Sequence, residues 1–240
     1  INKLSSAREQ GLDITADIYP YDGWQSTLSI LIPSRDYYDR AAAAYALTSI
    51  AAPSTIIFAH YDGRPEYVGK TLEEIAITKN VDPVDLLMTL LQAAEKEDLY
   101  ESIIGRNIGE QDITNFMRWP YTSITTDGGI DGRHPRGQGS FARVLAHYVR
   151  EKEVLSLSEA IRKMTSLTAS SLGISHRGEI KQGYAADVVV FDADMIADHA
   201  TFDDPLQYST GVKAVWVNGE LVWEEGKETG ARPGLIVRRR

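Results

Sequence analysis

The stretch Ser123-Ile124-Thr125-Thr126-Asp127-Gly128-Gly129, followed two residues later by Gly132-Arg133-His134-Pro135-Arg136, decides how this chain is read. A β-branched run stops at one acidic residue and a glycine pair, the pattern of a buried strand that delivers a carboxylate to its end. Past a loop rich in Gly and Arg, Phe141, Val144, Leu145 and Tyr148 predict a helix that opens at Ser140. Strand, acidic tip, loop and helix make one β/α unit, and in barrels of such units the reacting groups sit at the C-terminal strand ends. An isolated Asp-Gly pair would read instead as a turn or helix cap. The His-Pro-Arg loop and the helix behind it tilt the reading toward a site.

Working outward, Leu12 to Tyr21 is β-rich and alternating, and it follows the end of an amphipathic helix (Ile1, Leu4, Ala7, Arg8) closed by Gly11. A helix is expected over Arg35 to Ile50, with Tyr38, Ala42, Tyr45 and Ile50 on one side, and a short strand over Ser54 to His60. Thr71 and Glu74 have the spacing of a capping box. Asp82-Pro83 opens a helix that carries Leu86, Leu87, Leu90 and Leu91. Ile103-Ile104 reads as a strand, Glu110 to Arg118 as a helix before Pro120, and Ser156 to Leu172 as another helix. Strand and helix alternate this far, which favours a parallel α/β architecture. After Gly173 short strands alternate with turns: Glu179–Lys181, Asp187–Phe191, Val212–Val217, Leu221–Trp223 and Leu235–Val237. Asn218-Gly219 between two apolar runs is a hairpin signal. Residues 1–175 and 176–240 are therefore expected to form different domains.

Composition narrows the class. Of 240 residues, 43% are hydrophobic and 25% charged, ordinary for a globular protein. A net charge of −9 argues against nucleic acid as a partner, and Arg238-Arg239-Arg240, the one basic run, reads as a solvated tail. There is no cysteine, hence neither a disulfide nor a thiolate metal site. No apolar run approaches the roughly 18 residues of a membrane span. A cytoplasmic location is the expectation. The start without Met, inside a helix, suggests that an upstream half exists.

Several motifs together resemble one family. The run Asp127-Gly128…His134-Pro135-Arg136-Gly137…Gly139-Ser140-Phe141-Ala142-Arg143-Val144-Leu145 resembles the D-aminoacylase (N-acyl-D-amino-acid deacylase) branch of the metal-dependent amidohydrolases. So do Arg162 to Leu167, Arg177-Gly178-Glu179-Ile180, Gly183 to Asp192, Val215-Trp216-Val217-Asn218-Gly219 and Tyr19-Pro20-Tyr21. The resemblance spans the chain but only the second half of such an enzyme. It implies the C-terminal half of a (β/α)8 TIM-type barrel followed by part of a small β-sandwich domain. It also implies a zinc centre of one or two ions, bound mainly by residues upstream of this chain. The five histidines here (His60, His134, His147, His176, His199) are scattered, with no His-x-His and no helical i, i+4 pair.

Amide hydrolysis needs an activated water and a group that carries its proton to the leaving nitrogen. Asp127 at a strand end suits that task, and the resemblance assigns it this duty together with a place at the metal. The resemblance matches Tyr19 to a tyrosine that hydrogen-bonds the developing oxyanion; from its own context alone it reads more readily as a core tyrosine. Ser26 resembles a substrate-contacting serine, or is an ordinary loop cap. Gly128, His134 and Arg136 are further substrate-binding candidates; an arginine there could grip a carboxylate with two hydrogen bonds, or merely order the loop. One departure stands out: deacylases of this branch carry an arginine where this chain has Pro53-Ser54-Thr55. The expected activity is hydrolysis of a linear amide, most naturally an N-acyl-D-amino acid. A cyclic amide of dihydroorotase or hydantoinase type is the runner-up, and a non-catalytic fragment without the metal-binding half is the alternative of another class. The expected partners are a small-molecule amide and the missing N-terminal half, with homo-oligomerisation open.

Overall fold

Helix α1 (Asn2–Glu9) ends where Gly11 takes a φ of +89°, and the chain then enters β1 (Ala16–Ile18). These come from a computed structural model that describes residues 1–129 and 132–238; Arg239 and Arg240 of the basic run lie outside the described residues. The chain divides into two compact units, Tyr21–Gly109 and the remainder, Ile1–Pro20 with Glu110–Arg240.

Within Tyr21–Gly109, β2 (Gly23–Ser26), β3 (Ile56–Tyr61) and β4 (Glu101–Arg106) form a sheet in the order β2-β4-β3, antiparallel throughout. This corrects the expectation of parallel alternation. One crossover helix returns a chain to the start of the next strand. Here the pair α3 (Leu72–Lys79) and α4 (Pro83–Glu97) separates β3 from β4 and brings the chain back to the end where β3 finished. Both helix starts follow the predicted chemistry. Thr71 and Glu74 form the capping box, and the Asp82 carboxylate accepts the Val84 and Asp85 N–H groups with Pro83 in the first turn. The Leu86, Leu87, Leu90 and Leu91 face of α4 is buried with Leu28, Ile56, Phe58, Leu72 and Ile103, each side chain contributing about 1.5–3 kcal/mol. The helix expected over Arg35 to Ile50 is shorter, α2 (Arg40–Tyr45) capped by Asp39, and continues as a π-helical turn over Ala46–Ile50. Its buried side is Ala43, Ala46 and Leu47, while Tyr38 and Tyr45 face solvent. The small alanines allow close backbone approach that tyrosines would prevent.

In the other unit, α5 (Glu110–Arg118) precedes β5 (Thr122–Ile124), and β5 pairs with β1 in parallel, Asp17 opposite Ser123 and Ile18 opposite Ile124. Helix α6 begins at Arg136, four residues before the expected Ser140, and runs to Arg143; a π-helical turn, Val144–Glu151, follows it. Pro135, with its φ fixed near −61°, supplies the earlier start. The helix expected from Ser156 to Leu172 breaks at Thr165 (φ −130°, ψ −90°) into α7 (Leu157–Met164) and α8 (Ser166–Ser171).

The remaining strands make an antiparallel meander of β6 (Val188–Phe191), β7 (Val212–Val217), β8 (Glu220–Glu224) and β9 (Lys227–Glu228). Asn218 and Gly219 sit at φ +49° and +84° in the β7–β8 hairpin, as two positive φ values require of a type I′ turn. Glu179–Lys181 and Leu235–Val237, expected as strands, have none of that pairing. Strands β2 and β9 went unforeseen because they are short and polar. No described helix is long and apolar enough to cross a membrane.

Candidate active site

Strand β5 ends at Ile124, and the chain turns so that Asp127 takes a left-handed φ of +46°. Aspartate tolerates that region better than most residues. The Gly128 N–H donates to Thr126 Oγ1 at 3.3 Å, which tightens the turn. The glycines that follow are required by packing. A Cβ on Gly128 would lie 2.4 Å from the Gly137 Cα, and one on Gly137 would lie 2.6 Å from the Gly129 carbonyl oxygen. Backbone of the Asp127 turn therefore rests directly on the first turn of α6. Ile130 and Asp131, within the same loop, lie outside the described residues.

The start of α6 brings two predicted residues inward. His134 is 2% exposed, and its Nδ1 accepts the Arg136 backbone N–H at 3.1 Å, which identifies Nδ1 as the unprotonated ring nitrogen. Arg136 opens the helix instead of sitting in an open loop; it is buried, and its guanidinium reaches the Asp127 carboxylate at 3.0 Å. The same guanidinium lies over the Tyr19 ring, 4.6 Å from its centroid. Tyr19 in turn meets His134 edge to face at 5.8 Å. Arg136 Nε is buried and has no hydrogen-bond partner among the described residues.

Burial raises the Tyr19 phenol above its ordinary pKa, against the opposing pull of the Arg136 charge and hydrogen bond. At neutral pH the phenol therefore keeps its proton and is a hydrogen-bond donor. Tyr19, Asp127, Gly128, His134 and Arg136, from the segments just past β1 and β5 and from the start of α6, thus come together as one cluster. Ser26 belongs to the other unit, where it ends β2 opposite Ile103. His60, left ambiguous by sequence, is hydrogen-bonded to Asp62 at 2.8 Å, and His147 to Glu151 at 2.9 Å, both as local contacts within their own segments.

Sequence reasoning missed two neighbours. Phe202 packs edge to face against His134 at 4.9 Å. Arg143 donates from Nε to the Pro20 carbonyl at 2.8 Å and lies 3.3 Å from Asp198. The signal for Arg143 was present as a long cation inside an otherwise apolar helical stripe.

Among the described residues no three His, Cys, Asp or Glu side chains gather as a metal site. The donor chemistry present is one carboxylate, Asp127, whose side chain is 67% exposed. It fits a single ligand, or a base beside an ion, and not a complete coordination sphere.

Residues 69–223 match a family described as the amidohydrolase family. An N-acyl-D-aspartate deacylase of Alcaligenes xylosoxydans xylosoxydans is 39% identical over 178 residues, 73% of this chain and 34% of that protein. An N-acyl-D-glutamate deacylase of the same organism is 35% identical over 239 residues, 98% of this chain and 43% of that protein. Among solved structures, an N-acyl-D-glutamate deacylase from Bordetella bronchiseptica, complexed with zinc and a phosphonate mimic of the tetrahedral intermediate, matches with a TM-score of 0.81. That match has 32% identity and covers 99% of this chain and 45% of the other. The chain thus spans less than half the length of these relatives.

Proposed function

The chain belongs to the amidohydrolase family, and we propose that it is the C-terminal half of a metal-dependent hydrolase of linear amide C–N bonds, acting on N-acyl-D-amino acids. In this reading the β1 and β5 units belong to the second half of a (β/α)8 barrel, and β6 to β9 to a β-sandwich. An N-terminal half, in the same polypeptide or an associated chain, provides most of the metal ligands. The observation that carries the proposal is the convergence of Asp127, Tyr19 and Arg136, with the buried Arg136 cation 3.0 Å from the Asp127 carboxylate.

Asp127 is the residue of this chain that would face zinc. A bound divalent ion supplies a hydroxide nucleophile near neutral pH by lowering the pKa of its water. Asp127 would accept a proton from the attacking water and hand it to the leaving nitrogen, without which the amine is a poor leaving group. The Tyr19 phenol, kept neutral by burial, donates to the carbonyl oxygen as charge develops there, a contact worth about 3 kcal/mol. Arg136 binds the substrate carboxylate, its buried Nε being the donor without a protein partner. His134 holds the Tyr19 ring edge and the α6 start in register. Gly128 gives backbone room beside Asp127, and for Ser26 the sequence resemblance is what supports a substrate contact.

The test is Asp127→Asn in the full-length enzyme. Asparagine is at home at φ +46°, so the fold should persist while turnover of N-acyl-D-amino acids disappears. Substantial activity in that variant with metal bound refutes the assignment. Assaying N-acetyl-D- and N-acetyl-L-amino acids beside a hydantoin separates linear from cyclic substrates.

A further inference from the structure

We infer that Arg143 is a positioning residue for Tyr19, acting through the Pro20 carbonyl. The inference rests on the reading above, in which Tyr19 is the oxyanion donor. β1 ends at Ile18, so Tyr19 lies just past the last ladder residue. Pro20 has no N–H to donate, and it is the last residue before the chain leaves this unit. Its carbonyl accepts from Arg143 Nε at 2.8 Å, a fastening across 123 positions of sequence.

Arg143 is itself held. It ends α6, the helix whose first residue, Arg136, lies over the Tyr19 ring. Its Nη1 is 3.3 Å from Asp198, whose side chain is 13% exposed. It also hydrogen-bonds the fully buried Tyr148, which holds Glu110 at 3.1 Å. One helix thus controls Tyr19 at two points, the ring through Arg136 and the backbone through Arg143. A planar guanidinium can serve Pro20 and Asp198 together from fixed nitrogens, whereas a lysine ammonium serves them as a point charge. Asp198 lies in the segment between β6 and β7, so that segment contributes to placing a group on β1.

The experiment is a double-mutant cycle in the full-length enzyme, with Arg143→Gln, Tyr19→Phe and the pair, assayed on an N-acyl-D-amino acid. Arg143→Gln should lower kcat about 10- to 100-fold, the scale of a misplacement near 1 Å, with KM changed less than about 2-fold. Arg143→Lys should restore part of the loss. The pair should be no slower than Tyr19→Phe alone, because a residue acting through Tyr19 has nothing further to lose. Multiplicative losses, or an unchanged kcat in Arg143→Gln, overturn the inference. Amide exchange over residues 16–21 and at Thr125, whose N–H donates to the Ile18 carbonyl at 3.0 Å, needs no turnover. Faster exchange confined to these amides in Arg143→Gln supports the positioning role even if the wild-type enzyme proves inactive on this substrate, which would count against the proposed function alone. Unaltered exchange there overturns the inference.

Discussion

The Arg136 guanidinium meets the Asp127 carboxylate at 3.0 Å, yet the two side chains differ sharply in exposure, 8% for the arginine and 67% for the aspartate. The cation is shielded by the Tyr19 ring beneath it, while the carboxylate opens to water. An ion pair of this kind stabilises weakly, since the exposed partner is already well solvated. Its value lies in orientation: the pair ties the strand-end carboxylate to the first turn of α6.

Arg136→Met should therefore leave folding stability within about 1 kcal/mol of the parent, because Asp127 is readily rehydrated and a buried charge is removed. Turnover of a carboxylate-bearing substrate should fall at least about 100-fold in kcat/KM, the loss of one charge-assisted bidentate contact. Urea unfolding beside steady-state kinetics separates the two effects. A collapse of the unfolding midpoint with kcat/KM preserved would make Arg136 structural.

Gly137→Ala tests the packing of the Asp127 turn on α6. The added methyl would lie 2.6 Å from the Gly129 carbonyl oxygen, which is backbone and cannot swing aside. Overpacking of this kind costs about 1–3 kcal/mol, and the displaced turn carries Asp127 with it. Denaturant midpoints should drop and activity should fall together. The same change at Gly63, where a Cβ would meet nothing within 4 Å but φ is +70°, should lower stability while sparing activity.

Lys163 is fully buried, with its ammonium donating to the Trp119 carbonyl at 2.5 Å and the Thr122 carbonyl at 3.1 Å, and Glu159 at 3.6 Å. It joins the end of α5 to the start of β5. Lys163→Met keeps the volume but removes the donor, and should destabilise by about 1–3 kcal/mol through carbonyls left unsatisfied. Thermal unfolding reads this directly; an unchanged melting temperature would mean those carbonyls have other partners.

The α3 capping box predicts a local response to acid. The Glu74 carboxylate accepts the Thr71 N–H at 2.7 Å, and that backbone bond, with the Thr71 hydroxyl second, holds Glu74 below the usual carboxylate pKa. A depressed folded-state value means the box contributes fully above the ordinary glutamate pKa and loses its contribution as pH falls through the lower, folded value. The protection of the Thr71 amide, its exchange rate relative to the intrinsic rate at each pH, should fall on acidification through that range and be largely constant in Glu74→Gln. Protection in the parent that does not change across this range would show that the cap is not formed.

Local chemistry was legible wherever a few adjacent residues suffice. Asp82-Pro83 and Thr71…Glu74 announced their helix starts because capping is settled within one turn. Asn218-Gly219 announced its hairpin because two positive φ values leave few residue choices. The direction of β3 and β4 was not legible even though both intervening helix starts were, since where two helices return the chain is set by their packing in space. Which side of the Arg35 to Ile50 stretch is buried was not legible either: Tyr38 and Tyr45 are exposed while Ala43, Ala46 and Leu47 are buried, because periodicity marks a face without saying whether alanines or tyrosines own the core.

The candidate site divides in the same way. By itself the sequence determined that Asp127 ends a strand-like run, that glycines follow it, and that His134 and Arg136 stand close behind, because these are properties of neighbours along the chain. Tertiary structure alone decided that Arg136 turns inward to bridge Asp127 and Tyr19 and that Arg143 reaches the carbonyl next to Tyr19. The contacts with Tyr19 and Pro20 join residues more than a hundred positions apart, through the parallel pairing of β1 with β5 and the seat of α6 behind them. Burial and charge pairing act on distance in space, which a linear pattern does not contain.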